Sequence, residues 1–330
     1  MVSQLPQTDA PSEERVSRVI VVSRLFSGLA DSLSAEQWRP SGVPAITKLL
    51  EGLSAADNVA LTTVFTVKDR ATAAQFPGRR RFDLTPVGEV HILPYVRLPG
   101  GFKRFELILT ELLQMLQCIA LWIRTRPHSS YFTYANLPIA ALFAGLRWSR
   151  VSLRFMGIMP YHRKLANGDG NRMIDRINRR FLRSRFDNVV CTEDGSDPSL
   201  LLPQLLRSTV PLTIKINGAD VVAEPDNTNA FRDGELAPDD QPVILYLGRL
   251  ERYKGCLEFV DAAVKVLTTS PGCAQFVLVG DGTCRGEVEE RIAASGHERS
   301  FLTVGAVAAN EVSGYLARTH IYVSLNMHGN

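Results

Sequence analysis

The residues best suited to holding a charged ligand lie between positions 246 and 255, in the segment YLGRLERYKG. An apolar run that predicts a buried strand ends there, and Gly248 allows a tight turn because it has no Cβ. Arg249 follows at the carboxyl end of the strand, which is where open α/β sheets bind their ligands. Lys254 and Gly255 open the next predicted helix, whose N-terminus offers free backbone N–H groups and a partial positive charge. A guanidinium, an ammonium and a helix N-terminus together suit a pyrophosphate.

The competing interpretation of Arg249 and Lys254 is that both are solvated surface charges, the usual state of such residues in a loop. The coincidence of a strand end, a glycine turn, two cations and a helix start favours phosphate binding. Other chemistries lack their patterns: no GxGxxG follows the first predicted strand, and the P-loop and the GxSxG elbow are absent from the sequence. The remaining histidines have no metal-ligand spacing, so we expect no metal.

Short apolar strands alternate with predicted helices along most of the chain, which indicates parallel sheets with helices on both faces. The alternation breaks at residues 219–241, which are rich in Asp, Asn, Glu and Pro and are interpreted as an interdomain connection. We therefore expect a loose polar tail at 1–17, a Rossmann-like domain at 18–218 and a second one at 242–330. The second pattern, β-α-β-α-β-α-β, stops where the sequence stops, so this domain is expected to be incomplete.

Composition and charge narrow the class of protein. The chain has 330 residues, of which 45% are hydrophobic and 22% charged, a balance typical of globular proteins of about two domains. The net charge of +3 is too small to argue for nucleic acid. Five scattered cysteines without a CxxC, and an N-terminus without a secretory signal, predict a cytoplasmic protein with reduced thiols.

Two segments raise the question of membrane contact. Residues 105–123 are the most apolar long stretch but carry Glu106, Glu111, Gln114 and Gln117, which predicts a buried or interfacial helix and not a membrane-spanning one. Residues 172–185 hold six arginines and one aspartate on a predicted helix. The simpler interpretation is a core-packed helix, with an apolar stripe that includes Ile174 and Phe181 and a solvated basic face. The alternative is peripheral contact with anionic lipid headgroups on the inner face of the membrane, and nucleic acid is disfavoured because no aromatic-basic RNA motif accompanies the helix.

The pattern G-R-L-x-x-x-K-G after a buried strand resembles the donor-site motif of the retaining GT-B glycosyltransferases of family 4, glycosyl transferases group 1. The resemblance extends over most of residues 18–330 and is carried by short matches that occur in the family's order. These matches are residues 191–193 (CTE), 216–220 (INGAD), 276–282 (FVLVGDG), 304–307 (VGAV) and 311–317 followed by 320–324. Each match is short, and it is their order and spacing that make the resemblance specific.

This resemblance implies a GT-B fold, in which two Rossmann-like domains face each other across a cleft. The C-terminal domain would bind a nucleotide-diphosphate sugar, with UDP or GDP as the nucleotide, and the N-terminal domain a sugar, lipid-linked or small-molecule acceptor. Arg249 and Lys254 would be catalytic, neutralising charge on the departing diphosphate without a protein nucleophile, a cofactor or a metal. The sugar would be transferred with retention of configuration. The implied donor-binding residues are Gly248, Arg249, Lys254, Gly255, Gly280, Gly305 and Val307.

In the N-terminal domain the resemblance points to two glycines and a histidine. Gly42, in the loop 39–44, is similar to the family's glycine that approaches the donor phosphate and the acceptor, and an ordinary turn glycine is the alternative. Gly157 follows a predicted strand where many members have a histidine before the glycine, and this chain has Met156 there. His162 could serve as the catalytic residue instead, and a surface histidine is the alternative.

One departure from the family pattern bears on activity. The family carries a pair of glutamates near the C-terminal end of its motif set, and Met327 or His328 stands where the first would be. We predict a glycosyltransferase that takes part in polysaccharide, glycolipid or glycosylated-metabolite synthesis. Two alternatives stay open: a GT-B sugar-nucleotide epimerase, and a non-catalytic nucleotide-sugar-binding or partner subunit, which this departure favours.

Overall fold

The computed structural model describes residues 16–40, 42–75, 80–98, 103–169, 172–193, 196–216, 241–307 and 311–325. The chain divides into two compact units, Met1–Gly218 and Ala219–Asn330. Of the predicted N-terminal tail, residue 17 already belongs to the first strand, and residues 1–15 lie outside the described residues. The predicted connection, apart from residue 241, and the positions of Met327 and His328 also lie outside them.

The first unit is built on an eight-stranded sheet. Its strands are β1 Ser17–Arg24, β2 Val59–Thr66, β3 Arg81–Leu84, β4 Gly88–Leu93, β5 Ser129–Thr133, β6 Arg150–Phe155, β7 Asn188–Thr192 and β8 Leu212–Lys215. They lie in the order β3-β4-β2-β1-β5-β6-β7-β8, and the pairings are parallel except for the β3–β4 hairpin. The predicted parallel sheet is confirmed. Strand β3 was not predicted, because the alternation of charged and apolar residues extends over only four positions at the edge of the sheet.

Helices cover both faces of this sheet. They are α1 Ala30–Ala35, α2 Pro44–Ser54, α3 Arg70–Gln75, α4 Lys103–Thr125, α5 Leu137–Leu146, α6 Pro160–Ala166, α7 Met173–Leu182 and α8 Pro198–Leu205. Successive strand residues point to opposite faces, so β1 buries Ile20 and Val22 in one core and Val21 in the other. Side chains of α4, α5, α7 and α8 belong to the first core, and those of α1 and α2 to the second.

The second unit repeats the β-α alternation that the sequence predicts. Its strands are β9 Val243–Leu247, β10 Gln275–Val279, β11 Phe301–Gly305 and β12 Ile321–Val323, and its helices are α9 Cys256–Thr269, α10 Arg285–Ala294 and α11 Val312–Ala317. The strands pair in parallel in the order β11-β10-β9-β12, with a core on each face. Because β10 and β12 lie on opposite sides of β9, the direction of winding reverses beside β9.

The arginine-rich helix predicted over 172–185 is α7, and only part of its apolar stripe packs inward. Phe181 packs against the first core, whereas Ile174 is 54% exposed. The arginines Arg176 and Arg180 are exposed, as the solvated-face interpretation predicts. The assignment of Ile174 to a buried stripe is therefore wrong, because in the first turn of α7 the buried residue is Asp175 and not Ile174.

The arrangement of α4 also departs from expectation. By length and a mean hydropathy of 1.5, α4 is apolar enough to cross a membrane, whereas the sequence analysis predicted no such helix. Only 28% of its most apolar window is buried, and its buried residues include Glu106, Thr110 and Gln114. The helix thus packs on the sheet partly through polar side chains. The buried-helix alternative is wrong, because the most apolar side of α4 faces outward.

Candidate functional site

The predicted ligand site lies in the loop that joins β9 to α9. The loop is fastened to the one that follows β10, because the N–H groups of Gly248 and Leu250 donate to the carbonyl oxygens of Val279 and Asp281, both at 3.0 Å. Since β9 lies where the winding of the sheet reverses, the loop occupies the place at which open α/β sheets bind ligands.

The two predicted cations of the loop meet at one aromatic side chain. Arg249 is exposed and donates from Nη2 to the hydroxyl of Tyr253 at 2.8 Å. The Lys254 ammonium lies 5.3 Å from the centre of the Tyr253 ring. The neighbouring cation Arg252 is directed elsewhere, to the carboxylate of Glu287 at 2.7 Å. The structure therefore brings Arg249 and Lys254 together and excludes Arg252 from the pair.

Tyr246 is a site residue that the sequence analysis missed. Its side chain is 2% exposed, and its hydroxyl lies 3.0 Å from the carbonyl oxygen of Arg249 and 3.3 Å from that of Lys254. Burial raises the pKa of Tyr246, so the hydroxyl keeps its proton and can donate it to these carbonyls. The signal was a tyrosine near the end of an apolar strand, because a buried hydroxyl needs a polar partner.

The structure corrects the role given to Gly248. Gly248 does not have a positive φ, and a Cβ on it would lie 3.7 Å from the Tyr246 hydroxyl, an ordinary contact. Gly280, in contrast, has a φ of +142°, and its Cβ would collide with the carbonyl oxygen of Gly248. A Cβ on Gly282 would lie 2.5 Å from the carbonyl oxygen of Leu250. The close approach of the two loops therefore requires glycine in the β10 loop and not at Gly248.

The other predicted donor-binding residues lie at neighbouring strand ends. Gly255 has a φ of +72° and precedes the first residue of α9, and its Cβ would collide with the backbone of Leu325, just after β12. Gly305 ends β11 and accepts the N–H of Gly280 at 2.7 Å. Val307 is half-buried against the core shared by β9 and β11. The predicted glycines Gly248, Gly280 and Gly305 thus line three adjacent strand ends.

The three candidate residues of the first unit, Gly42, Gly157 and His162, differ in their exposure. Gly42 is exposed, has a φ of +74° and precedes α2, with open space where its Cβ would lie. Gly157 is buried after β6 with a φ of +118°. His162 is 1% exposed, so the surface-histidine alternative is wrong. Its Nδ1 accepts the N–H of Met159 at 3.0 Å and caps α6, and its ring packs 4.4 Å from that of Tyr134. The catalytic role of His162 stays a prediction.

Burial of His162 predicts a pH-dependent stability of the first unit. Burial lowers the pKa of His162 from its ordinary 6.5 to about 4. Between these two pH values the imidazole of His162 is protonated in the unfolded chain and neutral in the folded one. The folded state is therefore not destabilised by this group above pH 6.5, and it loses stability as the pH decreases towards 4. The loss is at most about 3 kcal/mol. Denaturant unfolding measured from about pH 7.5 to 4.5 checks this expectation.

The variant for this test is His162→Asn, whose amide oxygen can still accept the Met159 N–H. It should flatten the pH dependence in part, because burial also lowers the pKa of His91, which titrates in the same direction. The control His297→Asn changes a half-buried histidine of the second unit. If the free energy of unfolding of His162→Asn fell with decreasing pH as steeply as that of wild type, the assignment of this pH dependence to His162 would be contradicted.

We also searched the described residues for side chains that could bind a metal ion together. Among them, no three His, Cys, Asp or Glu side chains are grouped so that they could hold a metal ion. The candidate site itself consists of two cations, a helix N-terminus and the glycine-lined strand ends of a doubly wound unit, an arrangement that suits a diphosphate.

Comparison with known proteins gives this architecture a class. Residues 241–327 match the family model of glycosyl transferases group 1. Among solved structures, HepE from Anabaena in complex with UDP has a TM-score of 0.60 at 14% identity, over 92% of this chain and 73% of that one. This likeness shows the fold, and the predicted two-unit α/β architecture of the GT-B type is confirmed.

Two curated enzymes are similar to parts of the chain. The alpha-D-kanosaminyltransferase of Streptomyces kanamyceticus is 40% identical over 58 residues, 18% of this chain and 15% of that enzyme. The 2-deoxystreptamine N-acetyl-D-glucosaminyltransferase of Niallia circulans is 34% identical over 85 residues, 26% of this chain and 22% of that enzyme. The matched segments thus span less than a quarter of either relative.

Proposed function

We propose that this chain belongs to a glycosyltransferase that binds a nucleoside-diphosphate sugar at the β9–α9 corner. The observation that carries the proposal is the convergence of Arg249 and Lys254 on Tyr253, at the carboxyl end of a central strand and beside the start of α9. The corner lies inside the segment that matches the glycosyl transferases group 1 model. The two glycosyltransferase relatives support the same class of activity.

In the proposed reaction, the bond between the sugar and the diphosphate breaks and negative charge grows on the leaving group. The fork of Arg249 and the ammonium of Lys254 would bind those phosphate oxygens, with the partial positive charge at the start of α9 behind them. Preorganised cations stabilise such charge more in the transition state than in the bound substrate. No protein nucleophile is needed, and the acceptor supplies the attacking oxygen or nitrogen. Transfer with retention of configuration, as in family 4, is part of the proposal.

The remaining parts of the proposal concern the ligands and the setting. A uridine nucleotide is favoured by the UDP complex of HepE, and GDP is the second choice. The names of the two relatives favour an amino sugar among the donors. Gly42 and Gly157 of the first unit would approach the acceptor, which would be a sugar, a lipid-linked sugar or a small molecule. We place the reaction in the cytoplasm, in polysaccharide or glycolipid synthesis, with peripheral membrane contact.

A panel of UDP-, GDP- and ADP-sugars, tested for thermal stabilisation, examines donor binding. At about 100 times its Kd, the matching donor should stabilise the protein by about 2.7 kcal/mol. Arg249→Ala and Lys254→Ala should lose this gain, whereas Arg252→Ala should keep it because Arg252 is held by Glu287. Equal stabilisation of all four proteins would place the donor elsewhere.

The alternative of a non-catalytic nucleotide-sugar-binding subunit is favoured by Met327 and His328, where the family pattern has a glutamate. Release of nucleoside diphosphate from the stabilising donor separates the two proposals. An enzyme turns the donor over with acceptor, whereas a binding subunit is stabilised by it and releases no diphosphate.

A further inference from the structure

The outward face of α4 is apolar, which is unusual for a helix that faces water. Five large side chains recur at helical spacing along it and are 48 to 65% exposed. They are Phe105, Ile108, Leu112, Leu116 and Ile123, which we call the apolar stripe. An amphipathic surface helix normally turns such a stripe towards the core.

Polar contacts fix the rotation of α4 so that the stripe cannot turn inward. Glu106 is fully buried, accepts from the guanidinium of Arg70 in two places, and accepts the N–H of Leu98 at 3.0 Å. Gln114 is also fully buried and donates to the carbonyl oxygen of Val67 at 2.8 Å. Turning the stripe towards the sheet would require a rotation of α4 that breaks these buried hydrogen bonds. Breaking them is costly, because it leaves buried polar groups without partners.

A basic cavity of about 320 Å³ opens beside the stripe. Its wall includes Arg80, Arg81 and Arg124, and it reaches the exposed Ala120 on α4. His91 also lines the cavity and is 4% exposed. The exposed acid at this place is Glu89, 3.4 Å from His91 Nε2 and 4.0 Å from Arg81. Positive charge dominates the cavity.

The opposite end of the stripe is basic as well. Lys103 and Arg104, in the first turn of α4, are exposed. Arg97 is exposed nearby and donates to the carbonyl oxygen of Arg70 at 3.3 Å. The stripe is therefore bordered by basic residues at both ends, and the combination of an apolar helix surface with neighbouring Lys and Arg is typical of helices in a bilayer interface.

We propose that the apolar stripe and the basic cavity form a docking surface for a bilayer that contains anionic phospholipid. The stripe enters the boundary between headgroups and acyl chains, and the arginines of the cavity bind a lipid phosphate. A second copy of the chain fits this surface less well. Pairing the stripe with itself in either direction brings a basic end against a basic end.

This surface differs from the α7 contact that the sequence suggested, although α4 and α7 pack on the same sheet face. It deepens the peripheral membrane contact of the proposed function, on which it rests in part, by naming the surface and the lipid class, and it concerns where the protein acts and not which bond it breaks. Donor binding and bilayer docking can therefore fail separately.

Flotation with vesicles tests the proposal on the full chain. Wild type should bind vesicles of equal parts phosphatidylcholine and phosphatidylglycerol, and bind phosphatidylcholine alone at least about tenfold more weakly. Ile108→Gln with Leu116→Gln should weaken binding by at least about tenfold, since two apolar side chains that the bilayer would bury are lost. Arg81→Gln with Arg124→Gln should cost on the order of fivefold per arginine and reduce the salt dependence.

Matched controls keep the outcome interpretable. Leu200→Gln changes a side chain that is 66% exposed on α8, and Arg207→Gln changes an exposed arginine, so both should bind vesicles as wild type does. Unfolding midpoints verify that each variant is folded. The proposal is overturned by equal binding of stripe and control variants, or by loss of binding through Arg176→Gln with Arg180→Gln alone. A dimer in sedimentation that Ile108→Gln with Leu116→Gln abolishes would also overturn it.

Discussion

Replacing Gly280 with alanine should destabilise the second unit by about 3 kcal/mol or more, a large part of the roughly 5–15 kcal/mol that stabilises a typical domain. The backbone at Gly280 has a φ of +142°, a region that only glycine occupies without strain, and an added Cβ would collide with the carbonyl oxygen of Gly248. The β9 loop would have to move, and the positions of Arg249 and Lys254 would move with it. Denaturant unfolding of the variant measures the loss.

The matched control is Gly248→Ala. Although Gly248 is the glycine of the cationic motif, its Cβ would make an ordinary contact with Tyr246, so we expect a loss below about 1 kcal/mol. Equal losses in the two variants would contradict the geometry of the two loops, and a larger loss in Gly248→Ala would reverse the assignment.

Replacing Arg249 or Lys254 with alanine should lower the rate of sugar transfer by about 100- to 1000-fold for each variant. Each substitution removes a cation from the place where the leaving diphosphate would gain charge. The fold should be unaffected, because both side chains lie in a surface loop and their backbone is held by Tyr246. Initial rates of nucleoside diphosphate release with acceptor, and unfolding midpoints, measure the two effects.

Arg252→Ala serves as the control for these variants, since it removes a cation from the same turn that is paired with Glu287. Calorimetry with nucleoside diphosphate and monophosphate locates the contact. Arg249→Ala and Lys254→Ala should weaken diphosphate binding more than monophosphate binding. Uniform weakening of both ligands would mean that the cations contact the nucleoside or its first phosphate.

Regular features of the fold were predictable from the sequence, and irregular contacts were not. Apolar runs such as β9 and the alternation with helices gave the sheets, because burial on both faces leaves a continuous apolar pattern. The edge strand β3 was missed because half of its four residues are charged. The location of Arg249 at a strand end was predictable, because parallel strands align their carboxyl ends.

The misjudged residues share a physical cause. Gly248 and Gly280 look alike in sequence, and only the approach of two loops distinguishes them. The surface-histidine alternative for His162 was wrong because a backbone N–H and an aromatic neighbour, neither visible in the sequence, make its burial tolerable. The rotation of α4 is set by Arg70, far from the helix in sequence, which periodicity does not detect.

The Tyr246 hydroxyl lies within hydrogen-bonding reach of carbonyls on both arms of the β9 loop. A segment with free ends would lose conformational freedom when a ligand arrives, which lowers affinity. In this protein the β9 loop becomes ordered when the second unit folds. The entropy loss is therefore part of the free energy of folding and not of the free energy of binding. Binding of the proposed donor at this corner would then approach lock-and-key behaviour, with only the ends of the Arg249 and Lys254 side chains left to order.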